Sequence, residues 1–404
     1  MRAFPRLLSP RTKTGWALVL ASVLIAGCAR SGAGAVPSTL ANGGSPSAHN
    51  RTTPTCPVIY NFQAAPDGTV PQAPLVDFKG TLYGTTSTGG TSGLGTVYTV
   101  TTGGSESVIH SFTGTPDAST PEAGLIAVNG ALYGTSVHGG AHGIGAVFKI
   151  SKSGKVSIVY SFTNDPDGNE PAAGLINVNG TLYGTTVGGG ATGNGTVFSV
   201  TTAGVEKVLY SFANGSDGAT PLASLLYFKG AFYGTTQNGG TGAEGTVFKV
   251  TPSGTETVLH AFSGPDGAGP VAGLIAVKGA LYGTTPNGGA IRMDAGGTLF
   301  KMTPAGKETV LHSFGTAGDA ADPSAALLDV GGTLYGTSAE GGSVGIGAVF
   351  SATTSGGESV VCSWYSLTVA EEPMASLIDV GGTLYGTTQG GGGPEQGTVF
   401  AWPI

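Results

Sequence analysis

Apolar and polar positions alternate along this chain in short runs separated by glycine, and the pattern returns about every fifty residues. Residues 172–212 show one period, AAGLINVNGTLYGTTVGGGATGNGTVFSVTTAGVEKVLYSF. Four runs in it are rich in Val, Leu, Tyr, Phe and Thr, and none has helical periodicity over a helical length. Each period therefore predicts four short β-strands, which we call A to D. In this unit they cover 175–178, 181–186, 196–200 and 207–212.

The links between these strands predict how the strands are arranged. Asn179-Gly180 joins A to B and is typical of a tight hairpin with positive φ. A glycine-rich loop joins B to C, a short turn joins C to D, and a long connection leads to the next unit. Four strands in fifty residues favour a blade of a β-propeller. A parallel β-helix is the alternative, but it has shorter rungs without Asn-Gly hairpins.

The number of units follows from one tyrosine in the sequence LYGT or FYGT. It recurs seven times, at Tyr83, Tyr133, Tyr183, Tyr233, Tyr282, Tyr335 and Tyr385. The last C strand runs to Ile404 with no D strand after it, whereas an extra D-type strand, VIYNF, stands at 58–62 before the first A strand. The sequence therefore predicts an all-β, seven-bladed propeller with four antiparallel strands per blade. Its N-terminal strand 58–62 should complete the last blade and close the ring.

The N-terminus predicts export and a lipid anchor. Arg2, Arg6, Arg11 and Lys13 precede an apolar run, and Ile25-Ala26-Gly27-Cys28 resembles the lipobox of bacterial lipoproteins. That resemblance implies that 1–27 is a signal peptide and that Cys28 is acylated. Residues 28–55 are typical of a flexible tether, which leaves 56–404 for the propeller. Ala29 after the cysteine favours the outer membrane or the cell surface over the inner membrane. Plain secretion and an uncleaved anchor are the alternatives.

Charge excludes one class of partner. The full chain has 17 basic and 24 acidic residues, and 1–27 holds four basic and no acidic ones, so the mature chain has 13 against 24, a net charge of −11. It has no basic patch, and we expect no nucleic-acid partner. We expect a monomer.

The repeat GxLYGTT…GG…GxGTVF…G…VLYSF…DGxxPxAGL resembles the GloVer tandem repeat, a "choice-of-anchor" family of bacterial exported proteins, over residues 58–404. The resemblance implies export, an anchor and a propeller, and it implies no defined activity. The units also resemble pyrroloquinoline-quinone-type propeller repeats more loosely, but the cofactor-site residues of those enzymes have no match here. We expect no cofactor.

Repeated polar residues favour structure over chemistry. The loop GGxxGxG, as at 139–145, is followed by a strand and not by the helix that a phosphate loop requires. Six units carry D-x-x-x-P between D and A, which predicts a turn device, and one carboxylate per loop is too few for calcium. One D-strand position holds His110, His260 or His312 but elsewhere Tyr60, Tyr160, Tyr210 or Cys362, which indicates packing. We expect no metal site.

Two cysteines remain after Cys28. Export would permit a disulfide between Cys56 and Cys362, but the outer strands of adjacent blades diverge, which favours two free thiols.

The function predicted is binding or scaffolding without catalysis, with a glycan or an envelope protein as ligand. An exported carbohydrate-active enzyme is the alternative. The B–C and D–A loops share one rim of a propeller, so the ligand should bind near the centre of that rim. Candidate residues there are those that differ between units: His138, His142, Asn194, Gln237, Asn238, Glu244, Asn287, Arg292, Asp294, Glu340, Gln389 and Glu395.

Overall fold

The structure is a computed structural model that describes residues 53–151, 154–290, 296–393 and 395–404. The predicted signal peptide, Cys28, Arg292 and Asp294 lie outside the described residues. Within them there is no helix, and so none that could cross a membrane. Seven four-stranded antiparallel sheets form a β-propeller, as the sequence predicts.

The strands A to D of the first four blades have these bounds. Blade 1 consists of Val76–Phe78, Thr81–Thr86, Thr96–Val100 and Glu106–Ser111. Blade 2 consists of Ile126–Val128, Ala131–Ser136, Ala146–Ile150 and Val156–Ser161. Blade 3 consists of Ile176–Val178, Thr181–Thr186, Thr196–Thr201 and Glu206–Ser211. Blade 4 consists of Leu226–Phe228, Ala231–Thr236, Thr246–Val250 and Glu256–Ala261.

The last three blades follow the same plan, and the seventh takes its D strand from the N-terminus. Blade 5 consists of Ile275–Val277, Ala280–Thr285, Thr298–Met302 and Glu308–Ser313. Blade 6 consists of Leu328–Val330, Thr333–Ser338, Ala348–Thr353 and Glu358–Ser363. Blade 7 consists of Ile378–Asp379, Thr383–Thr388, Thr398–Pro403 and, as strand D, Val58–Asn61.

The N-terminal strand closes the ring in the register of a true D strand. In blade 3, Val197 pairs with Tyr210 and Phe198 with Val208, so the pairing skips one residue of the D strand. In blade 7, Val399 pairs with Tyr60 and Phe400 with Val58, with the same skip. The predicted closure is therefore confirmed, and the closing strand pairs with the same one-residue skip as the D strand of blade 3.

Each residue of the LYGT motif has a structural role, as blade 3 shows. Leu182 is buried in the core between blades, and Tyr183 packs against Phe232 of the next blade with ring centroids 4.3 Å apart. Gly184 leaves room for the ring of Phe198, which a Cβ at this position would meet at 2.8 Å. Tyr183 is therefore a packing residue between blades.

The threonine of LYGT ties each blade to the next around the central channel. Thr185 Oγ1 donates to the carbonyl oxygen of Ala223 at 3.3 Å. Because the same bond recurs in all seven blades, it forms a closed ring of buried hydrogen bonds, and Thr387 to Ala73, at 3.2 Å, completes it. The remaining members are Thr85 to Ala123, Thr135 to Ala173, Thr235 to Ala272, Thr284 to Ala325 and Thr337 to Ala375.

The long loops lie together on one rim, which we call the long-loop rim. Short strands in the D–A connections pair with short strands in the B–C loops of the following blade. These pairs are Gly68–Thr69 with Thr88–Gly89, Ala118–Ser119 with His138–Gly139, and Ala320–Ala321 with Glu340–Gly341. The A–B and C–D turns therefore lie on the opposite rim, which we call the tight-turn rim.

A disulfide joins the N-terminus to blade 6, so the expectation of two free thiols was wrong. Cys56 is bonded to Cys362, with Cα atoms 5.2 Å apart, and both are fully buried. Contacts with the propeller begin before residue 56, since the carbonyl oxygen of Pro54 accepts from Ser363 N at 3.0 Å and Thr55 bridges Ser363. Divergence of the outer strands does not separate these residues, because the chain before strand 58–61 runs alongside the D strand of blade 6.

Candidate functional site

A cavity of about 240 Å³ opens at the centre of the long-loop rim. It is lined by residues of the short segment Pro-x-Ala-x-Leu that ends each D–A connection, just before strand A. The threonine ring described above fixes the backbone of these segments, since its acceptors are their alanine carbonyls. The site is therefore built on backbone that every blade holds in the same way.

One arc of the cavity wall is polar. Glu122 is the one ionisable residue among those that line the cavity. Burial raises the pKa of its carboxyl, a hydrogen bond with Gln72 opposes that shift, and the charge of Glu170 adds to it. Gln389 Nε2 donates to Gln72 Oε1 at 3.4 Å. A chain of three polar side chains thus runs from the B–C loop of blade 7 to the cavity.

The rest of the wall consists of aliphatic side chains with a few serine hydroxyl groups. Leu222 and Val271 occupy the position of Glu122 in blades 4 and 5, and Met374 occupies it in blade 7. Ser324 holds the same position in blade 6. A ligand in this cavity would meet the carboxyl of Glu122 on one side, and aliphatic carbon with a few serine hydroxyl groups on the other.

None of the predicted rim residues that the structure describes lines this cavity. His142, Asn238, Glu244, Asn287 and Glu395 are exposed, while His138, Asn194, Gln237, Glu340 and Gln389 are half-buried. They are spread around the circumference, and only Gln389 reaches the cavity network. Glu122, Leu222 and Val271 were missed because the search covered the longest loops. These residues could have been found from the repeated Pro-x-Ala segment, because its middle residue differs from blade to blade.

Two of those rim residues, Glu340 and Glu395, belong to a group of carboxylates between blades 6 and 7. Burial raises the pKa of Glu340, and the charges of Asp322 and Glu372 act in the same direction. Burial also raises the pKa of Glu371, with further contributions from Glu372 and Glu395. This part of the rim is strongly acidic.

A second set of polar residues repeats at the outer edge of the blade boundaries. The His/Tyr position packs as the sequence indicates, for example Tyr160 against Phe162 with ring centroids 5.2 Å apart, and its side chain is in addition hydrogen-bonded to the aspartate of the following D–A connection. Tyr210 donates to Asp217 Oδ2 at 2.8 Å, and His260 Nε2 lies 2.8 Å from Asp266 Oδ2. The aspartates also cap backbone amides, as the turn prediction requires, for example Ala213 N at 2.9 Å from Asp217 Oδ2.

A glutamate of the next blade joins most of these pairs. Burial raises the pKa of Glu206 to about 7, and the nearby charge of Asp167 adds to the shift. One carboxyl oxygen of this glutamate is enclosed with no hydrogen-bond partner, and the same holds for its counterparts Glu106, Glu256, Glu308 and Glu358. A carboxyl group kept from water in this way favours its neutral form.

At two blade boundaries the three groups are a histidine, an aspartate and a glutamate. His260, Asp266 and Glu308 meet between blades 4 and 5, and His312, Asp319 and Glu358 meet between blades 5 and 6. In each cluster one donor atom from every residue lies within 4.8 Å of the other two. The sequence reasoning counted one carboxylate per loop and did not anticipate that the next blade supplies a second one.

Fold and cavity together define a seven-bladed β-propeller with a small amphipathic site at the mouth of its central channel. The model of the Gloeobacter/Verrucomicrobia repeat matches residues 41–242 and 227–403, and the chain belongs to this family. No curated protein matches the sequence.

Solved structures resemble the chain in fold. The BP39L lectin from Burkholderia pseudomallei is 13% identical, with a TM-score of 0.60 over 85% of this chain and 97% of the lectin. A provisionally assigned 6-phosphogluconolactonase from Bacteroides uniformis is 12% identical, with a TM-score of 0.49 over 74% of this chain and 86% of that one. At these identities the likeness concerns the fold.

Proposed function

We propose that this chain is an exported lipoprotein that binds a glycan at the mouth of its central channel without transforming it. The observation that carries the proposal is the position of Glu122, which is hydrogen-bonded to Gln72, in the wall of a cavity whose other lining residues include the aliphatic Leu222 and Val271. A sugar ring has hydroxyl groups at its edge and apolar C–H groups on its faces, which is the same division. The cavity volume of about 240 Å³ lies just below the roughly 300–1,000 Å³ usual for small-molecule pockets, so the ligand held here should be small, such as one sugar unit.

The chemistry of the cavity wall supports binding over hydrolysis. Glycoside hydrolysis generally employs two carboxyl groups on opposite sides of the scissile bond. Glu122 is the only carboxyl among the lining residues, since the equivalent residues of the opposite blades 5 and 6 are Val271 and Ser324.

A glycan-binding screen with residues 29–404 tests this function. We expect a retained glycan whose binding is lost in Glu122→Ala and in Leu222→Arg, since the first removes the polar contact and the second fills the cavity. Glu244→Gln, an exposed change on the same rim, is the matched control and should bind normally. Binding that is indifferent to Glu122 and Leu222 would exclude the cavity, and Glu122-dependent release of sugar products would favour the enzyme.

Acylation of Cys28 is the second part of the proposal, and it rests on the lipobox sequence. Cells fed a labelled fatty acid should transfer label to the protein and should not label Cys28→Ala. Fractionation of the envelope then distinguishes the outer membrane, which Ala29 favours, from the inner one.

One observation favours an envelope protein as a second ligand. Val344, Tyr365 and Leu367 are 55%, 63% and 52% exposed on the long-loop rim of blade 6, and Ser343 Oγ donates to the Trp364 carbonyl oxygen at 3.2 Å, which holds the two loops together. Exposed apolar groups that lie together are typical of protein contacts. Photo-crosslinking from position 365 should capture one envelope protein in stoichiometric yield, and Leu367→Ser should abolish it. Diffuse labelling would argue against this contact.

A further inference from the structure

The clusters at the boundaries of blades 4/5 and 5/6 offer three metal ligands each. We propose that His260–Asp266–Glu308 and His312–Asp319–Glu358 each bind one Zn²⁺ ion, which joins two adjacent blades. A zinc ion accepts an imidazole nitrogen and carboxylate oxygens at about 2.0–2.2 Å, with water in the fourth position. Calcium and magnesium prefer sets made of oxygen alone.

The spacing of the donor atoms suits such an ion. Tetrahedral ligands at about 2.05 Å from zinc lie about 3.4 Å from one another. The donor atoms of each cluster already lie within 4.8 Å of one another. His312 Nε2 is 3.0 Å from Asp319 Oδ2, so these two donor atoms would separate by a few tenths of an ångström to admit the ion.

The aspartate of each cluster is oriented by contacts outside the cluster. Asp266 Oδ1 accepts from the amide and the hydroxyl of Ser263 at 2.9 and 3.0 Å, which leaves Oδ2 directed at His260. Asp319 Oδ1 likewise accepts from Ala320 N at 2.8 Å. Such outer hydrogen bonds are the usual means by which proteins fix a metal ligand.

The glutamate of each cluster has an enclosed, unpaired oxygen, as do Glu106, Glu206 and Glu256, but at these two boundaries a histidine stands beside it that could hold a cation. Oε1 of Glu308 and Oε1 of Glu358 have no hydrogen-bond partner although both atoms are buried. A buried carboxylate oxygen without a partner is costly, and a cation would satisfy it. The histidines are about one-quarter or one-fifth exposed, so an ion can reach them from solvent.

The boundary between blades 6 and 7 shows that the histidine and glutamate positions of two neighbouring blades can be joined by a bond. Cys362 pairs with Val349 in blade 6 as His312 pairs with Leu299 in blade 5. Cys56 holds the glutamate position. It lies two residues before Val58, which pairs with Phe400 in blade 7. In blade 6, Glu358 likewise lies two residues before Val360, which pairs with Phe350. The disulfide therefore occupies the histidine and glutamate positions. Blade boundaries are cross-linked there covalently once, and in our proposal twice through zinc.

The chain supplies its own matched controls. Tyrosine occupies the histidine position at Tyr60, Tyr160 and Tyr210 and makes the same contact with aspartate, so His→Tyr should preserve the fold. His110 pairs with Asp117 at 2.9 Å, but Val156 stands where a glutamate would complete the cluster. His110→Tyr should therefore leave zinc binding unchanged.

Calorimetric titration of metal-free, untagged protein with Zn²⁺ tests the proposal. We expect two equivalents for the wild type, one for His260→Tyr, one for His312→Tyr and none for the double variant, with Co²⁺ absorption reporting the imidazole ligand. Zinc should raise the melting temperature of the wild type and not that of the double variant. His138→Ala/His142→Ala should keep both equivalents. No uptake by the wild type, or uptake that survives the double His→Tyr change, would overturn the proposal.

Discussion

A Cβ atom placed on Gly84 would lie 2.4 Å from the hydroxyl oxygen of Tyr98, so the tyrosine ring lies directly over this glycine. Strand C of the other six blades has phenylalanine at the equivalent position. The additional hydroxyl of Tyr98 is fully buried and has no hydrogen-bond partner. Blade 1 thus contains a polar atom that the common design of the blades does not accommodate.

We predict that Tyr98→Phe stabilises the protein. An enclosed hydroxyl without a partner costs about 1–3 kcal/mol, and its removal restores the residue found in the other blades. Denaturant unfolding should show a higher midpoint with an unchanged slope. Tyr160→Phe, which removes a hydroxyl that donates to Asp167, should lower the midpoint instead. A loss of stability in Tyr98→Phe would mean that this hydroxyl has a partner.

We predict that Gly184→Ala destabilises the protein by about 1–3 kcal/mol, the usual cost of overpacking. The new methyl group would meet Phe198 Cζ at 2.8 Å and Leu175 Cδ2 at 3.0 Å. Gly103→Ala is the control, because a Cβ there meets nothing closer than 3.9 Å, and its stability should change by less than about 0.5 kcal/mol. Equal melting temperatures for the two variants would contradict the role assigned to the glycine of LYGT.

The boundary glutamates predict a stability that falls as pH rises. Burial raises the pKa of Glu206 from 4.5 to about 7, so between these values the folded chain holds a proton that the unfolded chain releases. Its contribution is greatest at low pH and is lost through about pH 7. The free energy of unfolding of Glu206→Gln should equal that of the wild type near pH 4.5 and exceed it at pH 8. The gain should be on the order of 1 kcal/mol, since solvent screens this half-exposed carboxyl. If the free energies of unfolding of the two proteins differed by the same amount at every pH, the raised pKa assigned to Glu206 would be refuted.

The closing strand should contribute much of the stability of the ring. A chain that begins at Pro66 lacks strand D of blade 7 and exposes the partner strand Thr398–Pro403. It also loses the fully buried Phe62, and burial of one such side chain is worth about 1.5–3 kcal/mol. We expect a lower melting temperature than for a chain that begins at Thr53. Cys56→Ser separates the effect of the disulfide, and its melting temperature should lie between those of the two chains. Equal midpoints for the chains that begin at 53 and 66 would contradict the closure.

The sequence predicted the fold well because every local signal repeats seven times. In the Asn179-Gly180 turn both residues have positive φ, at 53° and 86°, and strand B has the predicted bounds Thr181–Thr186. Strand C extends to Thr201, one residue further than predicted, and strand D is Glu206–Ser211 instead of 207–212. Closure followed from counting strands, which needs no knowledge of side-chain positions.

The sites were less predictable because they depend on contacts between blades. Tyr160 and Asp167 are seven residues apart, but Glu206 is about forty residues further along and meets Asp167 only when blades 2 and 3 pack. These carboxylate pairs belong to the repeat itself, and no spacing within one unit indicates them. Glu122 was missed because Pro-x-Ala appeared to be only a turn.

The Cys56–Cys362 bond makes one covalent circle of the chain between these residues. A protease that cuts a single exposed turn inside the circle, for example after Lys229, would therefore leave both fragments attached to each other. The nicked protein should migrate as one species without reductant and as two with it. Such a molecule would withstand a single cut without losing half of its blades, which a propeller closed by strand pairing alone could not ensure.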